Sequence, residues 1–299
     1  MARIIRASVA QTSTARFNLD ETLAKLERLT RLARDRDGSQ FCVFPEAFVG
    51  GYPKGSTFGA VVGERAPGGR DEFARYHAAA IEIPSPAITR IEAVSRETGV
   101  FLVVGVIERD GGTLYCTAIF VDPAQGYLGK HRKLMPTGSE RLVWGQGDGS
   151  TLPVFEKEFG AEGEGLKANQ GTQLYCAPTV DARPEWQSTM QHIALEGRCF
   201  VLAACQFAQV KDYPDEHLTS TNLTREEAAD PEKVIIAGGS VIINPLGKIL
   251  AGPLRGAEDV LTADLDLDDI ARGKFDMDVV GHYARNDGKK LRVSVRLSF

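Results

Sequence analysis

Apolar residues along this chain fall into two rhythms, and the rhythms predict the elements. Short apolar runs read as buried strands: residues 4–10 (IIRASVA), 41–44 (FCVF), 101–108 (FLVVGVIE), 117–122 (TAIFVD) and 199–207 (CFVLAACQF). Between them, Leu19, Leu23, Leu26 and Leu29 keep helical spacing behind Asn18, which can cap the helix with Glu21 completing a capping box. Ser85 and Pro86 open a second helix carrying Ile88, Ile91 and Val94, and Gly99 stops it. Asp110-Gly111-Gly112 supplies the turn between the 101–108 and 117–122 strands. In the second half, LYCAPTVD reads as a strand running into a loop, and residues 184–198 as a helix begun by Pro184. SVIINP and KILAGP, flanking Gly247, read as a hairpin, and the polar stretch 209–233 as a surface excursion. Strands alternating with helices and mixed with hairpins predict an α/β protein whose sheets are covered by helices, in one domain spanning 1–299 with a C-terminal tail from about 286.

Composition narrows the function. With 43% hydrophobic and 25% charged residues, the 299-residue chain has the balance of a soluble globular protein. A net charge of −5 argues against a nucleic-acid partner, and no run approaches the apolar length of a membrane span. The N-terminal MARIIRASVAQ lacks the pattern of a secretory signal, and five scattered cysteines (Cys42, Cys116, Cys176, Cys199, Cys205) suggest reduced thiols. The five histidines show no metal-ligand spacing. The expectation is a cytoplasmic protein without metal or cofactor.

Two segments carry candidate chemistry. In FPEAFVGGYPKG (44–55), Glu46 stands just past the end of a buried strand, where ligand clefts form in α/β sheets. Partial burial there would raise its pKa and suit it to act as a general base, although from position alone a structural hydrogen bond is the commoner role of such a carboxylate. The second segment, GKHRKLMPTGSERLVWGQGDGS (129–150), gathers Lys130, Arg132, Lys133 and Glu140 beside Trp144. A basic cluster is commonly a solvated face, but Lys133 falls at a strand exit, where an ammonium can stabilise charge developing on an attacked nitrile or carbonyl.

The wording and spacing of these segments resemble the nitrilases of the carbon–nitrogen hydrolase superfamily. The resemblance continues through QLYCAPTVDARPEWQSTMQHIALEGRCFVLAACQF (173–207), GGSVIINPLGKILAGP and LTADLDLDDIARGKFDMDVVGHYAR, so it runs from residue 4 to 285. It implies an α-β-β-α sandwich and a Glu–Lys–Cys triad, with Glu46 matching the general base and Lys133 the lysine that stabilises the tetrahedral intermediate. Glu140 matches a second glutamate held beside the lysine. The implied reaction takes a small-molecule nitrile through a cysteine thioimidate to a carboxylic acid and ammonia, without cofactor or metal, in a homo-oligomer.

One segment departs from the family pattern. The family's cysteine lies in a phrase of the form ICWENYMP between a lead-in that VFEKEFG (154–160) matches and a continuation that GTQLYCAPT (171–179) matches. Here AEGEGLKANQ (161–170) stands between them and contains no cysteine. A strand of ~5–6 residues and a helix of ~11–12 cannot both fit there, so the central nucleophile-bearing segment is shortened. Cys176 is the nearest substitute, although a buried inert thiol is the commoner fate of such a residue, and Cys199 and Cys205 lie deeper in a strand pattern. The expectation is that no residue replaces the nucleophile. This leaves two readings: a nitrile hydrolase by descent, or an inactive homologue, splice or gene-model variant acting as an assembly partner.

Overall fold

Period-two alternation along the strands builds the layers. The computed structural model describes residues 3–159, 165–166, 172–219 and 221–284. The first half runs β1 (Ile4–Gln11), α1 (Leu19–Asp37), β2 (Phe41–Val43), α2 (Pro67–Ala79), α3 (Pro86–Thr98), β3 (Phe101–Asp110), β4 (Thr113–Asp122) and β5 (Gly126–Arg132). The second half runs β6 (Leu174–Thr179), α4 (Glu185–Gly197), β7 (Phe200–Cys205), β8 (Phe207–Gln209), β9 (Val234–Ile243), β10 (Ile249–Arg255), β11 (Asp259–Asp266) and α5 (Asp268–Asp276). One sheet has the order β11-β1-β2-β3-β4-β5; the other has the order β6-β7-β9-β8, with β10 also paired to β9.

Residues 101–104 show how one strand serves two layers. Phe101 and Val103 join Ile5, Val9, Phe41 and Val43 against Phe200, Leu202 and Ile242 of the second sheet. Leu102 and Val104 point the other way, onto Leu26 and Leu29 of α1 and Ile88 and Ile91 of α3. On the far side, Met190 and Ala194 of α4 cover Val201, Ala203 and Val241. Helix, sheet, sheet, helix is therefore the layer order, as the resemblance implies. A strand buried on both faces must be apolar throughout, which is why β2 and β3 read as unbroken runs.

Helix ends follow their sequence signals. The Asn18 side chain accepts from the Glu21 amide at 3.1 Å, and Gly38 and Gly99 take left-handed backbone at the ends of α1 and α3.

Three stretches differ from the expected pattern. Helix α2 carries no apolar stripe, since it buries only Gly69, Glu72 and Tyr76. The stretch 209–233 is only partly a surface excursion, because Val210, Tyr213, His217 and Leu218 are buried and the Tyr213 and His217 rings stack at 5.0 Å. The run expected as one strand over 199–207 breaks into β7 and β8 around the buried Gln206.

Lys157–Glu158 pair with Gly165–Leu166. The rest of the shortened 161–170 segment, and the tail expected from about 286, lie outside the described residues. Among the described residues β6 pairs only with β7, so it forms a sheet edge. Among them, too, no helix is long and apolar enough to cross a membrane.

The loop after β2 is held against β3 along its length. Phe44 donates to the Val103 carbonyl, Val49 to Gly105, and Ile107 returns a bond to Val49. The approach is close enough that a Cβ on Gly105 would stand 2.1 Å from the Pro45 carbonyl oxygen and 2.7 Å from the Glu46 Cα. Gly105→Ala is expected to destabilise by about 1–3 kcal/mol through overpacking, read as a lower denaturant midpoint at unchanged slope. Gly112→Ala, with open space around it, is expected to leave the midpoint within about 0.5 kcal/mol of the parent.

Candidate active site

Three charged side chains from two segments of the chain meet in the lining of a cleft. Glu46 comes from the loop after β2, and its backbone carbonyl is held from the opposite sheet by the Gln206 side-chain amide at 2.6 Å. Lys133 follows β5 directly; its amide donates to the Cys116 carbonyl at 2.8 Å and its carbonyl accepts from Gly147 at 2.9 Å. Glu140 sits in a 3₁₀ turn (Gly138–Leu142) whose capping box is closed by its own Oε2, which accepts from the Thr137 amide at 2.6 Å.

The Lys133 ammonium bridges the two carboxylates. Its Nζ lies 2.8 Å from Glu46 Oε1 and 2.9 Å from Glu140 Oε2. The remaining Glu140 oxygen accepts from the Tyr52 hydroxyl at 2.9 Å. Below this group, the Tyr52 ring packs edge-on against buried Trp144, whose Nε1 donates to the Tyr76 hydroxyl, which in turn donates to the Gly51 carbonyl. This chain ties the loop down at Gly51 and Tyr52.

Burial and charge oppose each other at Glu46, and burial wins. Loss of solvent pushes its carboxyl above the ordinary glutamate range, although the Lys133 charge and hydrogen bond pull the other way. At Lys133 burial would lower the pKa, but the charge of Glu46 and the bonds to both carboxylates outweigh it and hold the ammonium above the usual lysine value. The Glu46 carboxyl therefore holds a proton more readily than a free glutamate, while the Lys133 ammonium stays charged.

A cleft of about 1200 Å³ is lined by Glu46, Tyr52, Cys116, Lys133 and Glu140 together with Tyr175, Cys176 and Trp186. Glu46, Lys133 and Glu140 are thus brought together as the sequence suggested. The rest of the basic cluster is not: Lys130 and Arg132 pair with Glu108, and Arg132 also with Asp110 at 2.7 Å, so they form a separate ion-pair group. Cys176 lines the cleft but makes no hydrogen bond to the three charged groups; burial pushes its thiol up to about 12, and it pushes the Cys116 thiol up as well. Cys199 and Cys205 are buried outside the cleft lining. Among the described residues no group of three His, Cys, Asp or Glu could hold a metal ion.

Three contributors escape a reading of the sequence. Tyr52 lies within the glutamate segment, where its role is masked by the neighbouring glycines and prolines. Gln206 is hidden inside an apolar run. Cys116 Sγ stands 3.4 Å from Glu46 Oε1, a neighbour that only the pairing of β3 with β4 reveals.

The chain is 65% identical to an arylacetonitrilase from Trametes versicolor, covering 96% of each chain; that alignment spans 310 positions, more than the 299 residues present here. It is 50% identical to a bifunctional nitrilase/nitrile hydratase from Nicotiana tabacum (97% of this chain, 86% of the relative) and 49% identical to an aliphatic nitrilase from Sinorhizobium fredii (96% and 95%). In structure it is similar to an amidase from Nesterenkonia at TM-score 0.60 and 19% identity, covering 91% of this chain and 95% of that one, which bears on the fold alone. The carbon–nitrogen hydrolase family model matches residues 6–275. With that match over most of its length, and nitrilases among its relatives at 48–65% identity, the chain belongs to the nitrilase branch of the carbon–nitrogen hydrolase family.

Proposed function

We propose that this chain hydrolyses a small nitrile to its carboxylic acid and ammonia at the Glu46–Lys133–Glu140 site. The observation that carries this reading is the Lys133 ammonium held at 2.8 and 2.9 Å between two carboxylates that line the cleft. A nitrile is a weak electrophile, so it needs a base to free the nucleophile and a fixed positive charge where negative charge develops on nitrogen. Glu46, lifted by burial, is the base; Lys133 is the fixed charge. Glu140, itself oriented by Tyr52 and Thr137, keeps the ammonium aimed when Glu46 takes up a proton and its own attraction for Lys133 falls. The names of the relatives support a nitrile as substrate.

A second reading is favoured by one observation: residues 161–170 contain no cysteine where the family phrase holds one. In that reading the chain is an inactive homologue, or a splice or gene-model variant, that keeps the charged site and serves at most in assembly with active copies.

Ammonia release by the purified protein from a panel of aliphatic, aryl and arylacetonitriles separates the two. The first reading expects turnover of at least one nitrile and a fall of about 10²–10⁴-fold in Glu46→Gln, the usual contribution of a general base. Absence of turnover across the panel would decide for the second. Tyr52→Phe removes one hydrogen bond to a charged group, a loss of about 1.5 kcal/mol, and is expected to slow turnover about tenfold with the thermal midpoint nearly unchanged. An unchanged rate would show that Glu140 does not depend on that hydroxyl.

A further inference from the structure

All five cysteines fall within the described residues, and only Cys116 and Cys176 line the cleft. Cys42 sits in the layer under α1 and α3, Cys199 beneath α4, and Cys205 beside Tyr213. The two cleft thiols differ in what they touch. Cys116 Sγ donates to Glu46 Oε1 at 3.4 Å, the same oxygen that receives the Lys133 ammonium at 2.8 Å. Its own carbonyl accepts from the Lys133 amide at 2.8 Å, so one backbone bond holds the two residues side by side.

We propose that in this chain the Cys116 thiol is the nucleophile, activated by Glu46. The proposal rests on the nitrile-hydrolase reading and departs from the expectation that nothing replaces the family's cysteine. A thiol, a carboxylate that accepts its proton and an ammonium bound to that carboxylate form one contiguous group open to the cleft. Burial, with the charge of Glu46 added, holds the thiol protonated at rest, so its proton leaves only as the attack proceeds.

The steps balance without any other reagent than water. Glu46 takes the thiol proton as sulfur bonds to the nitrile carbon, and one bond of the C≡N group passes its electron pair to nitrogen beside Lys133. The proton returns from Glu46 to that nitrogen, giving a neutral thioimidate. One water adds to the thioimidate carbon and ammonia leaves, so a thioester remains. A second water then breaks the carbon–sulfur bond, releasing the carboxylic acid and restoring the thiol.

The test separates capture from turnover. Purified full-length protein is incubated with 2-cyanopyrimidine, an activated nitrile that adds to thiols without a leaving group, and the adduct is located by intact-mass and peptide mass spectrometry. A single adduct on Cys116, formed at least tenfold more slowly in Glu46→Gln and absent in Cys116→Ser, is the expected result. Thermal melts of both variants confirm that they fold, and Glu46→Gln, which keeps Cys116, decides the matter if the serine variant does not. An adduct on Cys176, or neither an adduct nor ammonia release from this nitrile, overturns the proposal. Ammonia release undiminished in Cys116→Ser also overturns it while leaving nitrile hydrolysis standing. An adduct on Cys116 without any ammonia supports this nucleophile and removes the hydrolysis reading instead.

Discussion

One ammonium between two carboxylates is the interaction on which the site depends. Two glutamates converging in the lining of a cleft repel each other and lose hydration, and Lys133 makes their proximity tolerable. Glu46 lies 87 residues from Lys133, whereas Glu140 follows Lys133 by seven, so the group exists only if the first sheet brings the two segments together. The pairing of β2 with β3 places the Glu46 loop, and the pairing of β4 with β5 carries Lys133 to the Cys116 carbonyl. Gly105 lets the Glu46 loop lie directly on β3. The site is in this sense the summed consequence of strand register.

The second sheet contributes through contact and enclosure. Gln206, at the break between β7 and β8, reaches across to the Glu46 carbonyl, and β6 and α4 contribute to the lining of the cleft. Enclosure has an electrostatic effect as well. Less solvent raises the proton affinity of Glu46, while the paired charges keep Lys133 protonated. A carboxyl that holds a proton readily beside a cation that keeps its charge suits the proposed addition to a nitrile.

Much of this was legible in the sequence because it is written in local patterns. The helical stripe of α1, the glycine stops of α1 and α3 and the unbroken apolar runs of β2 and β3 each follow from burial on one or two faces. Glu46 and Lys133 were legible because each follows a strand inside a long distinctive motif, and Glu140 because the resemblance of the Lys133 motif extends to it. The rest depends on tertiary neighbours. Helix α2 buries a glutamate and a tyrosine in place of an apolar stripe, and Tyr213 and His217 are drawn inward by ring stacking within a polar stretch. Cys116 looks like any small strand residue until the sheet sets it beside Glu46. Periodicity reports which face is covered, and not by what.

The measurement that bears most directly on the charged site is the pH dependence of kcat/KM for ammonia release. Glu46 must be deprotonated to act, so activity is present above its folded-state pKa and is lost as pH falls through it. Because burial raises that pKa, the acid limb is predicted to lie above the ordinary glutamate range of about 4.3, and to vanish with the residual activity of Glu46→Gln. Because Lys133 is held above the usual lysine value, its deprotonation is predicted to give no alkaline limb below about pH 10. An acid limb at or below the range of an exposed glutamate, an acid limb that survives in Glu46→Gln, or no ammonia at any pH would contradict the account.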